Sequence, residues 1–446
     1  MLGRTRQSAK RLGMVKTMMR IQHLSKRWIQ VLRNSEQKMI ILRNLMMMKL
    51  LKRPKRKIKQ VPKTRMIKMG WRWRWRWRTT GGGGAGPMAR SSSRSSPHPA
   101  SLSLLSAESW ELQIDRVLPF LTENNDFVVV GVIGPAGVGK STILNELYGY
   151  DATSPGMVLP FATQTDEMRA LARHCSTGIE LRVSNERLIL LDTQPVFSPT
   201  VLADMIKPDG SCAIPVMSGE PLSAEMAHEF MGIQMALFLA SVCNIVLIVS
   251  ERINDISTWQ LMLTVDLMKH KIPDTSQALN FAPDKDNRST SQANSDEYMS
   301  DLVFVHTKLR EQDFSPPKLE HVRKTLHKFL ETTSFASSWK SSFSEPNGSS
   351  DVSGSNREDS DAVQQMFFIP NRATQEGTSQ FECASYSCAV GSLRDRILSM
   401  NPRSFSKNIS ERDWLRGSAK IWDLVKKSPV ISNYCNTLQE AGLFRK

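Results

Sequence analysis

The sequence predicts an α/β protein of the P-loop NTPase, G-domain-like type, with a doubly wound, mostly parallel sheet. Three observations support this class. The segment DFVVVGVIG, apolar from Phe127 onward, runs directly into the glycine-rich GPAGVGKS. A second apolar segment, RLILLD, ends in Asp192. Apolar strand segments alternate with helical patterns along the chain, as in parallel sheets that are covered on both faces. We expect this domain to span residues 101–400, and a helical segment over 401–446 to pack on it.

The first half of the domain begins with a predicted helix. The segment LSAESWELQIDRVLPFL has helical spacing, with four apolar residues on one face: Trp110, Ile114, Val117 and Leu121. A helix is predicted over 140–147, directly after the glycine-rich loop. The neighbouring segments IELRVS and RLILLD are joined by Asn185 and Glu186, which predicts a hairpin at one edge of the sheet.

The second half continues the alternation. A helix over 222–240 precedes the strand NIVLIVS, and the amphipathic helix DISTWQLMLTVDLMKH follows, with a stripe of Ile256, Leu263 and Leu267. The strand LVFVHT, a helix through LEHVRKTLHKFL and the strand MFFIP come next. Polar inserts near 275–300 and 334–362 are expected to be surface loops or disordered excursions. The C-terminal ERDWLRGSAKIWDLVKKS predicts a helix with Trp414, Ile421 and Val425 on one side.

The N-terminal residues 1–100 are expected to form a disordered basic tail and a Gly/Ser/Pro linker. The chain has a formal net charge of +16, but residues 1–78 hold 25 Lys and Arg against a single acid, so the rest is acidic on balance. The repeat WRWRWRWR could form an adhesive ribbon with Trp on one face and Arg on the other. A disordered tail or a wrongly assigned gene start is the favoured interpretation. Direct RNA binding is therefore not expected.

Cysteine usage and targeting signals point to the cell interior. The six cysteines form no Cys-x-x-Cys pair and have no His cluster nearby, so neither a zinc site nor a disulfide framework is predicted. No secretory signal is visible. The span FMGIQMALFLASVCNIVLIVS is long enough to cross a bilayer, but a buried helix running into a central strand explains it better. We expect a cytoplasmic protein without membrane partners, with the nucleus as a second location.

The loop GPAGVGKS matches the phosphate-binding pattern G-x-x-x-x-G-K-[ST] between a strand and a helix. Gly134, Gly137 and Gly139 permit the turns that aim backbone N–H groups at phosphate oxygens. The N-terminus of the following helix favours anions. Lys140 would contact the phosphates, and Ser141 would offer its hydroxyl to Mg²⁺. The predicted phosphate-binding set is Gly134, Gly137, Val138, Gly139, Lys140, Ser141 and Thr142.

Asp192 is placed where a carboxylate would hold Mg²⁺, usually through water. The residues that follow depart from an active hydrolase. In the order Asp-x-x-Gly, the glycine N–H reaches the terminal phosphate, whereas this chain has Pro195, which has no N–H. Gln194 beside it could still orient a water molecule. The sequence therefore predicts no catalytic residue and a nucleotide-binding domain that hydrolyses poorly.

The identity of the base is left open by the segment after the strand LVFVH. Guanine readers carry Asn-Lys-x-Asp there, but this chain has Thr307, Lys308, Leu309 and Arg310. Lys308 could lie along a base, and no carboxylate is present to bind guanine. The expected cofactors are Mg²⁺ and a purine nucleotide, GTP, GDP or ATP. Four residues are candidates for a switch hydroxyl, with none singled out: Thr163, Thr165, Ser176 and Thr177.

Several segments resemble the SMG nine family of nonsense-mediated mRNA decay factors. These are GVGKS, NERLILLDTQPVFSP, LASVCNIVLIVSE and the pattern W-x-x-x-x-A-x-I-W-D-x-V-x-K-S from Trp414 to Ser428. The resemblance covers residues 126–434 apart from the polar inserts, and LLDTQPVFSP is its most specific part because it contains the proline substitution.

The resemblance implies a regulatory subunit and not an enzyme. Such a subunit pairs with an SMG eight-like protein and binds and restrains an SMG one-like kinase, which phosphorylates the RNA helicase Upf one. The link to the mRNA decay machinery is indirect. The resemblance places phosphates and Mg²⁺ at Gly137, Gly139, Lys140, Ser141 and, through water, Asp192. The alternative is an active GTPase switch of the dynamin or septin class that uses Gln194.

Overall fold

The structure is a computed structural model that describes residues 102–150, 157–171, 173–208, 212–216, 222–251, 253, 255–269, 272–279, 298–331, 333–335, 365–371 and 385–440. The tail and linker predicted for residues 1–100 lie outside this part of the chain, as do most residues of the two polar inserts.

Seven strands form one sheet within the described residues. They are β1 (Ser103–Leu105), β2 (Val128–Ile133), β3 (Ile179–Val183), β4 (Leu188–Thr193), β5 (Ile245–Ser250), β6 (Asp301–Leu309) and β7 (Met366–Pro370). The order across the sheet is β1-β3-β4-β2-β5-β6-β7. The five strands from β4 to β7 pair in parallel, and β1 and β3 add antiparallel pairs. The mostly parallel α/β sheet is therefore confirmed.

The helices of the described residues follow in the expected alternation. They are α1 (Ile114–Val117), α2 (Lys140–Tyr148), α3 (Asp166–Ala170), α4 (Pro199–Met205), α5 (Ala224–Val242), α6 (Ile256–Met268), α7 (Thr275–Leu279), α8 (Pro316–Leu330), α9 (Tyr386–Ser399), α10 (Glu411–Lys426) and α11 (Pro429–Glu440). Helix α9 is absent from the sequence-based prediction.

Helices cover both faces of the sheet. Successive residues of a strand point to opposite faces, so each strand contributes to both layers of packing. In β2, Val130 and Val132 pack with residues of α2 and α9. Val129 and Ile133 pack on the other side with the long helix α5 and with α10. The side chain of Trp414 in α10 is fully buried, and its Nε1 donates to the carbonyl oxygen of Val242 at 2.8 Å. The C-terminal helix α10 is thus part of the core.

The predicted hairpin is confirmed, but its place in the sheet is different. Strands β3 and β4 pair in antiparallel register, with Leu181 opposite Leu191. Strand β1 pairs on the outer side of β3, so β1 and not the hairpin forms this edge. The prediction of an edge hairpin was wrong because β1 is three residues long and carries no strand signal of its own.

The helix predicted ahead of the first strand is largely wrong. The chain forms β1, turns at Trp110 with φ of 56°, and is helical only in α1 and in the 3₁₀ turn Leu118–Phe120 that follows it. Trp110 is fully buried, its Nε1 donates to Gln234 Oε1 at 2.7 Å, and its ring meets the edge of Trp422 at 5.6 Å. Long-range burial of one large side chain overrides the local helical spacing here.

The polar insert near 275–300 is folded at both of its ends. Asp274 accepts from Ser276 Oγ at 2.6 Å and from the backbone N–H of Gln277 at 2.8 Å and of Ser406 at 3.1 Å. Helix α7 packs against α10, and Ser300 is buried with its hydroxyl 2.8 Å from the carbonyl oxygen of Cys243. The prediction of a surface loop or disordered excursion was therefore wrong for residues 275–279 and 298–300. Polar residues can be buried when they are hydrogen-bonded, and the polar composition did not reveal this.

The stripe predicted for α6 faces outward. Ile256 and Leu267 are 60% and 44% exposed and Leu263 is half-buried. The buried residues are instead Trp259, Met262 and Val265. The helix is apolar on nearly every side, so its spacing could not indicate which face is buried.

The candidate membrane span divides between two elements. Residues 230–250 form most of α5 and then β5, as predicted from the change to β-branched residues. No helix among the described residues combines the length and apolar composition needed to cross a bilayer.

Candidate functional site

The glycine-rich loop connects β2 to α2 at the carboxyl end of the parallel strands. Gly137 and Gly139 have φ of 74° and 97°, in the left-handed region that favours glycine. A Cβ on Gly134 would lie 2.0 Å from the carbonyl oxygen of Val249 in the neighbouring strand β5. Thr142 lies in the first turn of α2, and Val138 is buried in the loop. The loop therefore has the glycine-dependent geometry that a phosphate cradle requires.

Lys140 begins α2 and is only 6% exposed. Its Nζ donates to the carbonyl oxygens of Gly134 at 3.1 Å and Pro135 at 3.0 Å. Burial lowers the pKa of Lys140 from 10.5 to about 8, and the charge of Asp192 opposes this shift. The ammonium group is thus held inside the loop next to a carboxylate.

Asp192 is the acidic centre of the site and is 1% exposed. Its Oδ2 accepts from the hydroxyls of Ser141 and Ser176, each at 2.7 Å. Its Oδ1 is buried and has no hydrogen-bond partner in the described part of the chain. Burial raises the pKa of Asp192, while the charge of Lys140, the two serine hydroxyls and the nearby backbone N–H of Thr193 lower it. A buried carboxylate oxygen without a partner is costly unless a ligand or cation supplies one.

Ser176 is the one switch candidate that the structure brings to Asp192. Thr165 instead caps α3, where its hydroxyl accepts from the N–H of Met168 at 3.2 Å. Thr177 is exposed, and Thr163 lies in the segment before α3. Ser176 lies 16 residues before Asp192 in the chain, so only the antiparallel pairing of β3 with β4 reveals the contact.

The residues after Asp192 are tied to protein atoms. Gln194 is 2% exposed, its Oε1 accepts from the N–H of Gly178 at 2.9 Å, and its own N–H donates to the carbonyl of Gly178 at 2.8 Å. Beyond Pro195, the N–H of Val196 donates to the carbonyl oxygen of Gly134 at 3.2 Å. The side-chain carbonyl of Gln194, which could have oriented a water molecule, is thus hydrogen-bonded to the backbone N–H of Gly178.

The segment proposed to lie near a base begins at the end of β6. The hydroxyl of Thr307 donates to the carbonyl oxygen of Val138 at 2.6 Å, which ties this strand to the glycine-rich loop. Lys308 has φ of 55°, and its Nζ lies 3.5 Å from Glu251 Oε2 in an exposed ion pair. The side chain of Lys308 is therefore accessible, and its role beside a base stays a prediction.

A second segment reaches the loop from the other side. Asn145 of α2 holds Phe161 at both backbone groups, because its Nδ2 donates to the carbonyl at 2.9 Å and its Oδ1 accepts from the N–H at 2.8 Å. The guanidinium of Arg182 lies over the Phe161 ring at 5.6 Å. The first contact fixes this segment on the helix that begins at the glycine-rich loop, and the second fixes it on strand β3.

Cysteine and histidine chemistry does not converge on this site. The described cysteines are free thiols, and Cys383 lies outside the described residues. His174 shares a 2.9 Å hydrogen bond with Thr200, and burial lowers the pKa of His174. Within the described residues, no cluster of three or more His, Cys, Asp or Glu side chains could hold a metal ion.

The sheet, the loop after β2 and the carboxylate at the end of β4 are together consistent with an α/β NTPase-like protein. The sequence is similar to proteins named nonsense-mediated mRNA decay factor SMG9. It is 28% identical to the Xenopus laevis protein over 348 residues, which span 73% of this chain and 64% of that protein. The Salmo salar protein is also 28% identical, over 341 residues, 72% of this chain and 64% of that protein.

A more distant relative matches a shorter part of the chain. The Caenorhabditis briggsae SMG9 protein is 26% identical over 202 residues, 45% of this chain and 46% of that protein. No protein-family model matches the chain. The resemblance to the SMG nine family that the motifs indicated is therefore confirmed, although the chain matches less than two thirds of the length of its vertebrate relatives.

Proposed function

We propose that this chain holds a purine nucleotide and Mg²⁺ and acts as a non-catalytic regulatory subunit in nonsense-mediated mRNA decay. The observation that carries the nucleotide site is the buried, unpartnered Oδ1 of Asp192 beside the glycine-rich loop and Lys140. Carboxylate and hydroxyl oxygens are the donors that Mg²⁺ uses together with phosphate oxygens. Ser141 and Asp192 supply both kinds, so the residues fit the ion.

Each protein group has a distinct part in this proposal. The backbone N–H groups of the loop and the N-terminus of α2 bind phosphate oxygens. The Lys140 ammonium adds a positive charge within a buried setting, where it is stronger than in water. Mg²⁺ would neutralise phosphate charge, held by Ser141 and, directly or through water, by Asp192. Lys308 would lie along the base, and Arg310 stands where a guanine reader carries its aspartate, so the choice between guanine and adenine is left open.

The competing function is an active GTPase switch. Two features disfavour it. Pro195 offers no N–H to a terminal phosphate, and the Gln194 side chain is bonded to Gly178 in the protein interior. A hydrolase of this class needs a residue that orients the attacking water. Hydrolysis would require the β3–β4 region to release Gln194, which costs buried hydrogen bonds.

The role in mRNA decay rests on the similarity to SMG9 proteins. By this similarity the chain would pair with an SMG eight-like protein and restrain an SMG one-like kinase that phosphorylates the helicase Upf one. The nucleotide would then stabilise the domain that makes these contacts. The protein would work in the cytoplasm, with the nucleus as a second place of action.

Nucleotide binding is tested with fluorescent MANT derivatives of ADP and GDP and with their imido-triphosphate analogues. Lys140→Ala should weaken binding by roughly 10- to 100-fold, because a hydrogen bond to a charged group contributes about 1.5–3 kcal/mol. Lys324→Ala, at a side chain of α8 that is 76% exposed, is the matched control and should leave affinity unchanged. Failure of every one of these nucleotides to bind the full chain would overturn the nucleotide proposal.

Hydrolysis is tested separately by phosphate release under single-turnover conditions. We expect release at the background rate, alone and with the captured partner proteins. The GTPase alternative would be established instead by a measurable rate that Gln194→Leu abolishes.

The regulatory role is tested by affinity capture of the tagged full chain and mass spectrometry of what it retains. Recovery of an SMG eight-like protein together with a phosphatidylinositol-kinase-like kinase is the expected result. The same capture with Lys140→Ala measures whether nucleotide is needed for these contacts. If neither partner is recovered with the unaltered chain, the assignment to this kinase assembly is incorrect.

A further inference from the structure

Three oxygen atoms at Asp192 make three close contacts with one another, but only two hydroxyl protons are available to fill them. Ser141 Oγ and Ser176 Oγ each lie 2.7 Å from Asp192 Oδ2, and the two hydroxyl oxygens lie 3.1 Å from each other. Each serine has one hydroxyl proton to donate. When both protons point to an ionised Asp192, only lone pairs remain between the serine oxygens.

A proton on Asp192 does not resolve this arrangement. On Oδ2 it would supply the missing donor, but it would leave the buried Oδ1 without a partner. On Oδ1 it would have no acceptor among the described residues. A cation would satisfy both needs, because it attracts the lone pairs of hydroxyl and carboxylate oxygens alike and requires no proton from any of them.

Ser176 is held in place by the protein and not by a ligand. Two residues later, Gly178 makes a double hydrogen bond with Gln194, at 2.8 and 2.9 Å. Gly178 has φ of 62°, and a Cβ there would lie 1.9 Å from the carbonyl oxygen of Leu105 in β1. The segment is thus fixed between β4 and β1, and Ser176 itself is 8% exposed.

We propose that the hydroxyl oxygen of Ser176 is a permanent third ligand of the cation site formed with Ser141 and Asp192. It would contact the cation in the same way whether a nucleoside diphosphate or a triphosphate is bound. This inference rests on the proposed nucleotide function. A hydroxyl that joins the metal only when a terminal phosphate draws its loop inward would serve as a switch. Ser176 instead contacts Asp192 through anchors that include no phosphate. The site therefore binds Mg²⁺ without reporting which nucleotide is present.

The test measures the affinity of Mg²⁺ for the full chain in complex with MANT-ADP or MANT-GDP, and with the matching imido-triphosphate. Ser176→Ala should weaken Mg²⁺ by roughly 10- to 100-fold in both the diphosphate and triphosphate complexes, as expected for loss of a group at a metal site. Thr177→Ala, its exposed neighbour, is the matched control and should change neither value.

A merely structural role for Ser176 is separated by two further readouts. Nucleotide affinity measured in EDTA should be the same for Ser176→Ala and the unaltered chain. Ser176→Cys should lower the affinity for Mg²⁺ and raise the affinity for Cd²⁺ relative to the unaltered chain, because a thiolate prefers a soft metal.

Three results would overturn the inference while leaving nucleotide binding intact. These are an effect of Ser176→Ala confined to the triphosphate complex, no effect on Mg²⁺, or an equal loss of nucleotide affinity in EDTA. Failure of all nucleotides to bind would overturn the proposed function first, and this inference with it.

Discussion

The contact between α10 and α7 can be tested by one added methyl group. Gly417 lies in α10, and a Cβ at this position would be 2.3 Å from the carbonyl oxygen of Thr275. Even a close carbon–oxygen contact between helices is about 3.3–3.6 Å, so the two elements must separate by roughly 1 Å. Thr275 is fully buried, and the carbonyl belongs to the backbone, so it cannot turn away as a side chain would.

The expected loss follows from two opposing effects. Overpacking of this kind costs about 1–3 kcal/mol, and a collision with backbone falls at the upper end. Replacing a glycine by alanine within a helix returns about 1 kcal/mol. Gly417→Ala should therefore reduce the free energy of unfolding by about 2 kcal/mol. Gly391→Ala in α9 is the matched control, because a Cβ at this position would have no atom within 4 Å beyond its own helix backbone and chain neighbours. It should stabilise the protein by up to about 1 kcal/mol.

The assay is urea unfolding of the full chain, followed by circular dichroism, for the two variants and the unaltered protein. The informative result is the sign, since the same chemical change should move the midpoint in opposite directions. If Gly417→Ala were as stable as Gly391→Ala, helix α10 would not lie against α7 at this distance, and the account of the C-terminal core would be wrong.

Four further predictions concern the residues around the site. Gly178→Ala should destabilise the protein by at least about 1 kcal/mol more than Gly149→Ala, because both have positive φ but only the first meets a backbone carbonyl, that of Leu105; equal unfolding midpoints in urea would contradict this. Burial gives Lys140 a pKa of about 8, so nucleotide affinity should fall as the pH rises above 8, whereas Lys140→Arg should give a flat profile in the same fluorescence titration. The nucleotide-free protein should become more stable between about pH 8 and 10.5, because there the unfolded chain binds more protons at this lysine than the folded chain does. Arg394→Ala should lower the thermal midpoint more than Arg394→Lys, since the guanidinium bonds two carbonyls in the last turn of α2; an equal midpoint for both variants would rule out this cap.

The parts of the fold that are contiguous in the sequence could be predicted from it. The strand, loop and helix around GPAGVGKS lie within about twenty residues and carry their own glycine signal. The strands β2, β4, β5 and β6 were recognisable for a similar reason, since burial on both faces leaves a run of at least four consecutive apolar residues in each.

Features set by distant contacts could not be predicted. Trp110 leaves its helical pattern because Gln234 and Trp422 receive its side chain, and neither lies near it in the chain. The outward face of α6 was missed because a helix that is apolar all round has no periodic signal. The first folded end of the polar insert depends on Ser406, more than a hundred residues away, and the second on Cys243.

The same limit applies to the site, where it changes the argument about function. From the sequence, Pro195 was the departure that bore on hydrolysis itself, and Gln194 could still have oriented a water molecule. The pairing of β3 with β4 puts Gly178 opposite that glutamine, and the N–H of Gly178 hydrogen-bonds to the glutamine side-chain carbonyl. It also brings Ser176 to Asp192. One register therefore removes the group that a hydrolase would need for water and adds a hydroxyl where a cation would bind. Both effects favour retention of a nucleotide over its consumption, and they arise from the backbone pairing and not from a single substituted residue.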